Sequence, residues 1–273
     1  MSSDSLGPSW VRSALLMAAA LCAATASEAA TETYITDFTK TNDIQTGLIN
    51  TFPTGVLTPS NSFGASFDIT SSGSSCGIAG LPGAGACNFY DGFNFTSGRS
   101  LTVPVGVAGV TDVYTLMNAY WASADTGQVA TVEFFGSAGA TETFTLDGGS
   151  NIRDFFLSNP VTTSTINGTT TQNAFLCNDP STCLGAGATG NVTTGRTGNY
   201  GVDEQQFALD SSFAGQTLVD FVITNDCACT SPILLGVTAV SSPSSTPVPE
   251  PTGLTLMGLG VIALGFSQRR RHR

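Results

Sequence analysis

The 273-residue chain carries twenty acidic and nine basic residues, a formal net charge of −11. So acidic a balance excludes the basic patches that nucleic-acid binding needs. The single histidine, His272, stands in a terminal basic cluster. The body therefore lacks the histidine required by a Ser-His triad, a Cys-His pair or a histidine-based zinc site.

At the N-terminus Arg12 precedes an apolar run from Ala14 to Ala24, followed by small residues. This is the layout of a secretory signal peptide over residues 1–29, with cleavage after Ala26 or Ala29 satisfying the small-residue rule. Cys22 falls within the discarded run. The body that follows spans residues 30–240, enough for one large β domain. Between Thr31 and Thr246 its basic residues are Lys40, Arg99, Arg153 and Arg196, against seventeen acidic ones. Such a surface suits solubility outside the cell.

Short runs of β type recur along the body, separated by turn residues. Tyr34 to Phe38, Phe67 to Thr70, Phe89 to Phe95 and Leu101 to Val105 come first. Asp112 to Trp121, Val129 to Phe135 and Thr141 to Leu146 are the clearest. In the last two, Val132, Phe134, Phe144 and Leu146 alternate with Thr131, Glu133, Thr143 and Thr145. The short turn Gly136 to Ala140 joins them, so they should form an antiparallel hairpin with one buried face. Residues 159–201 are mostly Thr, Asn and Gly and read as a long loop with a short strand at Ala174 to Cys177. Gln205 to Leu209, Leu218 to Thr224 and Leu234 to Val240 are strands again, with Val219, Phe221 and Ile223 alternating as core residues. Roughly nine to eleven short strands suggest an all-β antiparallel sandwich or barrel.

Six cysteines remain after export: Cys76, Cys87, Cys177, Cys183, Cys227 and Cys229. An even count in an exported chain reads as disulfides, and six cysteines allow fifteen pairings. Cys76 with Cys87 and Cys177 with Cys183 would each close a Gly- or Asn-rich loop. Cys227 with Cys229 is then left as a tight ring. Zinc usually wants CxxC pairs or histidines, so no metal site is expected, although a structural calcium is compatible with the acidic surface.

No P-loop or nucleotide-binding glycine fingerprint occurs, and no cofactor is expected. Paired carboxylates can hydrolyse a glycosidic bond. Asp203 and Glu204 are adjacent, however, and in a strand they would face opposite ways. Arg153 and Asp154 read as a local ion pair at a turn. The notable aromatics are Tyr114, Tyr120 and Trp121. Exposed rings of this kind stack on sugar C–H faces, with Asn118 available to bond hydroxyls. The competing reading packs Tyr120 and Trp121 into the core at a strand end.

After the Ser/Pro linker of residues 241–251 the chain reads Val248-Pro249-Glu250-Pro251. An apolar run follows, and then Arg269-Arg270-Arg271-His272-Arg273. Residues 252–267 would make a helix of roughly 24 Å at about 1.5 Å per residue, short for a hydrocarbon core of about 30 Å but able to span a thinned bilayer. The arginines of residues 268–273 should stay cytoplasmic, which puts the body on the other side. Pro249 and Pro251 keep the segment before the helix extended. These three ordered parts resemble the PEP-CTERM sorting signal of Gram-negative bacteria. The resemblance implies recognition by a membrane exosortase, with Val248, Pro249, Glu250, Pro251, Arg269, Arg270 and Arg271 as the signal, and removal of the tail near Pro-Glu-Pro.

The body resembles, more diffusely, a galactose-binding-like β-sandwich of jelly-roll type. The residues concerned are Val113-Tyr114-Thr115-Leu116, Tyr120-Trp121, Val132-Glu133-Phe134-Phe135-Gly136 and Asn151-Ile152-Arg153-Asp154. This implies carbohydrate binding by analogy of fold, and fold does not fix function. The expectation is a non-catalytic protein of the cell surface or extracellular matrix, binding exopolysaccharide through Tyr114, Asn118, Tyr120 and Trp121. A structural matrix or adhesion protein with no small-ligand site is the alternative, and a carboxylate glycosidase a more distant one.

Overall fold

The computed structural model describes residues 29–36, 38, 55–59, 63–69, 90, 92–157, 166–179, 182–184 and 200–242. The signal peptide, Cys76, Cys87 and the sorting tail lie outside the described residues. In chain order the strands are β1 (Thr31–Ile35), β2 (Gly55–Leu57), β3 (Phe67–Ile69), β4 (Ser100–Ala108), β5 (Val110–Tyr120) and β6 (Gln128–Gly136). They continue with β7 (Thr141–Asp147), β8 (Thr171–Asp179), β9 (Thr182–Leu184), β10 (Tyr200–Ala208), β11 (Thr217–Asn225) and β12 (Ser231–Ser241). One 3-10 turn, Ser211–Phe213, precedes β11.

Two sheets form the sandwich. One has the order β1-β12-β5-β10-β8-β9 and the other β4-β11-β6-β7, while β2 and β3 make a separate ribbon. Every ladder is antiparallel. The expected all-β antiparallel sandwich is what the chain adopts. Its main core lies between the sheets, where Phe207 of the larger sheet meets Phe134, Phe144 and Phe221 of the smaller. Phe134 has ring centroids of Phe144, Phe207 and Phe221 at 5.7, 5.5 and 5.2 Å. Each fully buried Phe contributes about 1.5–3 kcal/mol of apolar transfer.

A second cluster forms on the outer face of the larger sheet. Leu116, Phe175, Ile233 and Leu235 meet Leu57, Phe67 and Ile69 of the ribbon there. Apolar side chains on both faces explain why β12 is buried from Ser231 to Ala239. Gly236 lets the ribbon come close, since a Cβ there would sit 3.2 Å from both Phe67 and Leu116.

The expected antiparallel β6–β7 hairpin forms, with Val132 opposite Phe144. Three local expectations are corrected. Among the described residues of the expected Phe89 to Phe95 strand, Tyr90 makes an isolated bridge to Leu234 and Gly92 to Phe95 turns instead. In β11 both ladders shift register between Leu218 and Asp220. This bulge turns Val219 out to 43% exposure and buries Leu218. The described part of the Thr/Asn-rich stretch holds more strand than the expected Ala174 to Cys177, since β8 spans Thr171–Asp179, β9 follows it and β10 begins at Tyr200. Among its described polar side chains, Thr171 donates to the Asn151 carbonyl at 2.9 Å and Asn173 to Asp203 at 3.1 Å.

Candidate functional site

The site is built where two central strands part. β5 and β10 are paired from Asp112 to Leu116 against Ala208 to Glu204, and beyond that they diverge. The segment Arg153 to Phe155 enters the gap. Ala119 donates to the Arg153 carbonyl at 3.0 Å, Phe155 to that of Ala119 at 3.2 Å, and Gly201 to that of Phe155 at 2.9 Å. Backbone groups that the diverging strands can no longer offer each other are thereby satisfied.

Polar side chains close this fork. Asp203, fully buried, receives Arg153 Nε on Oδ2 and an Arg153 terminal nitrogen on Oδ1, both at 2.7 Å. Asn118 Nδ2 donates to Oδ2 at 2.8 Å and Asn173 Nδ2 to Oδ1 at 3.1 Å. The Asp203 amide donates back to Asn118 Oδ1 at 3.0 Å. The two-pronged arginine contact is the strong form of this interaction. Arg153 therefore pairs with Asp203 and not with Asp154, which corrects the local ion pair. Adjacency in sequence suggested Asp154, but its carboxylate is turned onto backbone. Trp121 N–H donates to its Oδ2 at 3.1 Å and Phe156 N–H to its Oδ1 at 2.9 Å. Glu204 goes elsewhere again and accepts from the Phe63 amide at 3.1 Å.

The grip of Asp154 on Trp121 shapes the exposed end of β5. Trp121 sits at φ +61° and is 53% exposed. A bulky residue in the left-handed region is a backbone outlier that its surroundings must hold in place. Packing into the core, one of the two readings of Trp121, is thereby corrected: the left-handed turn after Tyr120 carries the indole off the sheet. Tyr120 is partly buried, edge-on to Phe155 with centroids 5.1 Å apart and tilted against Phe95 at 6.0 Å. Phe95 is a second exposed ring on left-handed backbone, at φ +52° and 41% exposure. Its turn is tied down where Asn225 Nδ2 donates to the Thr96 carbonyl at 3.2 Å.

Of the four residues expected to bind carbohydrate, Tyr120 and Trp121 are brought together. Tyr114 lies six residues earlier in β5, about 20 Å away at roughly 3.3 Å per residue. Its hydroxyl receives Gln206 Nε2 at 3.0 Å, and burial, with Asp112 and Glu204 nearby, pushes its phenol up to about 12. Asn118 is buried and bonded through both amide atoms to Asp203, so it does not reach the surface. Phe95 was missed, because its sequence reads as strand and only the turn exposes it.

A cleft of about 170 Å³ opens near Phe144, Leu146, Asn151, Thr170, Gln205 and Phe207. Its polar groups are engaged internally: Gln205 bonds Thr115 and the Met117 carbonyl, and Asn151 Nδ2 bonds the Thr145 carbonyl. It offers a ligand little beyond an apolar wall.

Cys227 and Cys229 are joined in a disulfide. Cys177 and Cys183 lie on the neighbouring strands β8 and β9, beside the Leu176–Leu184 pair. Among the described residues no three His, Cys, Asp or Glu side chains gather as metal ligands. None of the described helices is long and apolar enough to cross a membrane.

What decides the destination of the chain is its tail. Residues 247–271 match the family model of the PEP-CTERM protein-sorting motif. The chain carries a PEP-CTERM sorting signal. Such signals are recognised by exosortase, a membrane enzyme, so the protein is exported by a membrane-associated sorting route. The match covers the tail and leaves the β body unassigned. No curated protein matches the chain.

Proposed function

We propose that the exported body is a non-catalytic protein of the cell surface or extracellular matrix of a Gram-negative bacterium. It binds exopolysaccharide through Phe95, Tyr120 and Trp121. The observation that carries this reading is Trp121, a large ring more than half exposed on left-handed backbone clamped by the buried Asp154 carboxylate. An ordinary core residue needs no such support, and backbone fixed in this way loses little freedom when the ring it carries binds. The non-catalytic part rests on Asp203, whose two oxygens accept four donors, and on Glu204, directed to a different partner. The reading calls on no cofactor.

Affinity electrophoresis through gels containing exopolysaccharide from the native host tests it. Retention should fall for Trp121→Ala, Tyr120→Ala and Phe95→Ala, with the dissociation constant rising about tenfold for Trp121→Ala, or roughly 1.4 kcal/mol. Retention unchanged in all three variants overturns the site. Absence of retention in the unaltered protein, together with self-association in sedimentation, would favour the matrix or adhesion alternative.

A further inference from the structure

The turn between β11 and β12 carries chemistry that neither sorting nor polysaccharide binding uses. Cys227 and Cys229 are bridged there across Ala228, with Cα atoms 5.1 Å apart. Loop-closing entropy grows with the length of chain enclosed, so a bridge this local contributes little to holding a fold together. The turn is also anchored without it. Asn225 N–H donates to the Arg99 carbonyl at 2.8 Å, Gly98 N–H to that of Asn225 at 2.7 Å, and Asp226 N–H to that of Val129 at 2.9 Å. Inside the turn Asn225 Nδ2 reaches the Thr230 carbonyl at 3.1 Å.

The two sulfurs are not equivalent. Cys229 is exposed and Cys227 is partly covered. The Cys229 backbone N–H donates to Cys227 Sγ at 3.1 Å. A donor aimed at one sulfur favours negative charge there and makes it the better leaving group, while exposure makes the other sulfur the easier target. Two charged residues flank the turn, and both have partners. The Asp226 carboxylate accepts from Gln128 and Thr131, and the Arg99 guanidinium donates to the Gly92 carbonyl.

We propose that Cys227–Cys229 is an exchangeable disulfide through which the exported protein couples to a thiol-bearing protein outside the cytoplasm. The partner's thiolate attacks Cys229 Sγ, and a new S–S bond forms between them. The Cys227–Cys229 bond breaks and its electron pair leaves on Cys227, as a thiolate that accepts the Cys229 N–H. Return attack by Cys227 on the mixed disulfide restores the original bridge and releases the partner thiolate. Each step exchanges one thiolate for another, so no external oxidant or reductant is consumed. The proposal is independent of polysaccharide binding.

Reduced glutathione is the probe, applied to the mature exported protein without denaturant. Acid quenching, alkylation and peptide mass analysis then locate the adduct. We expect it on Cys229 in at least tenfold excess over Cys227, with the fluorescence of Trp121 remaining native. In Cys227→Ser no return attack exists, so the adduct formed on Cys229 from oxidised glutathione should persist. Equal adducts on both sulfurs, opening only on unfolding, or a Cys227→Ser adduct that forms no more readily than on an unfolded peptide of the same sequence would each overturn the proposal.

Discussion

A single carboxylate, that of Asp203, ties together the fork where two central strands part. It is fully buried and balanced by a guanidinium that is itself mostly covered. The net value of such a pair is small, because desolvation offsets attraction, but removing one partner strands the other. Arg153→Ala should therefore lower unfolding free energy by about 3–5 kcal/mol in urea titration. Replacing both residues by apolar ones of similar size should recover much of that loss. A cost below about 1 kcal/mol for the single variant would mean that Asn118 and Asn173 suffice to satisfy Asp203. The same scale explains why Asn118 is unsuited to sugar recognition: its amide fills the ladder position the diverging strands leave empty.

At the scale of elements, one extra residue in β11 reverses which side chains reach the core. Without the bulge, strict alternation would bury Val219 with Phe221 and Ile223. With it, Leu218 is fully buried and Val219 faces solvent. Leu218→Ala should cost about 2–5 kcal/mol as a core truncation. Val219→Ala should stay within about 0.5 kcal/mol, as surface changes usually do. Thermal denaturation of the pair reads the register directly, and the reverse order of losses would mean an unbulged strand. The polar strand β8 belongs to the same lesson. Among its described side chains Asn173 is paired to Asp203 across the sheet and Thr171 to the Asn151 backbone. Low hydrophobicity there marks internal hydrogen bonding and not a loop.

At the scale of the whole molecule, the β body and the sorting tail are separate assignments. The larger sheet carries apolar clusters on both faces, one against the smaller sheet and one beneath the β2–β3 ribbon. The tail directs the chain to a membrane enzyme. Intact mass of the protein from its native host, before and after reduction, tests processing. Residues 1–29 and those beyond the Pro249–Pro251 region should be missing, and reduction should add two hydrogens per bridge. A mass that retains Arg269 to Arg273 would make the tail a lasting anchor.

Export, acidic character, strand-rich class and the β6–β7 hairpin were all legible in the amino-acid order. Each is written in contiguous residues: an apolar run with charged flanks, a period of two, a short glycine-containing turn. The sorting signal is the extreme case, since its three parts act in linear order. Tertiary structure alone decided that Arg153 answers Asp203, fifty positions away, and not its neighbour Asp154. It also turned Trp121 outward, through Asp154 on a segment thirty-three positions further on. It exposed Phe95 and Val219 and paired the polar start of β8, Thr171 to Asn173, into a sheet. The physical reason is common to all of these. Burial, pairing and backbone strain depend on which distant groups arrive alongside a residue, and local sequence pattern carries no record of them.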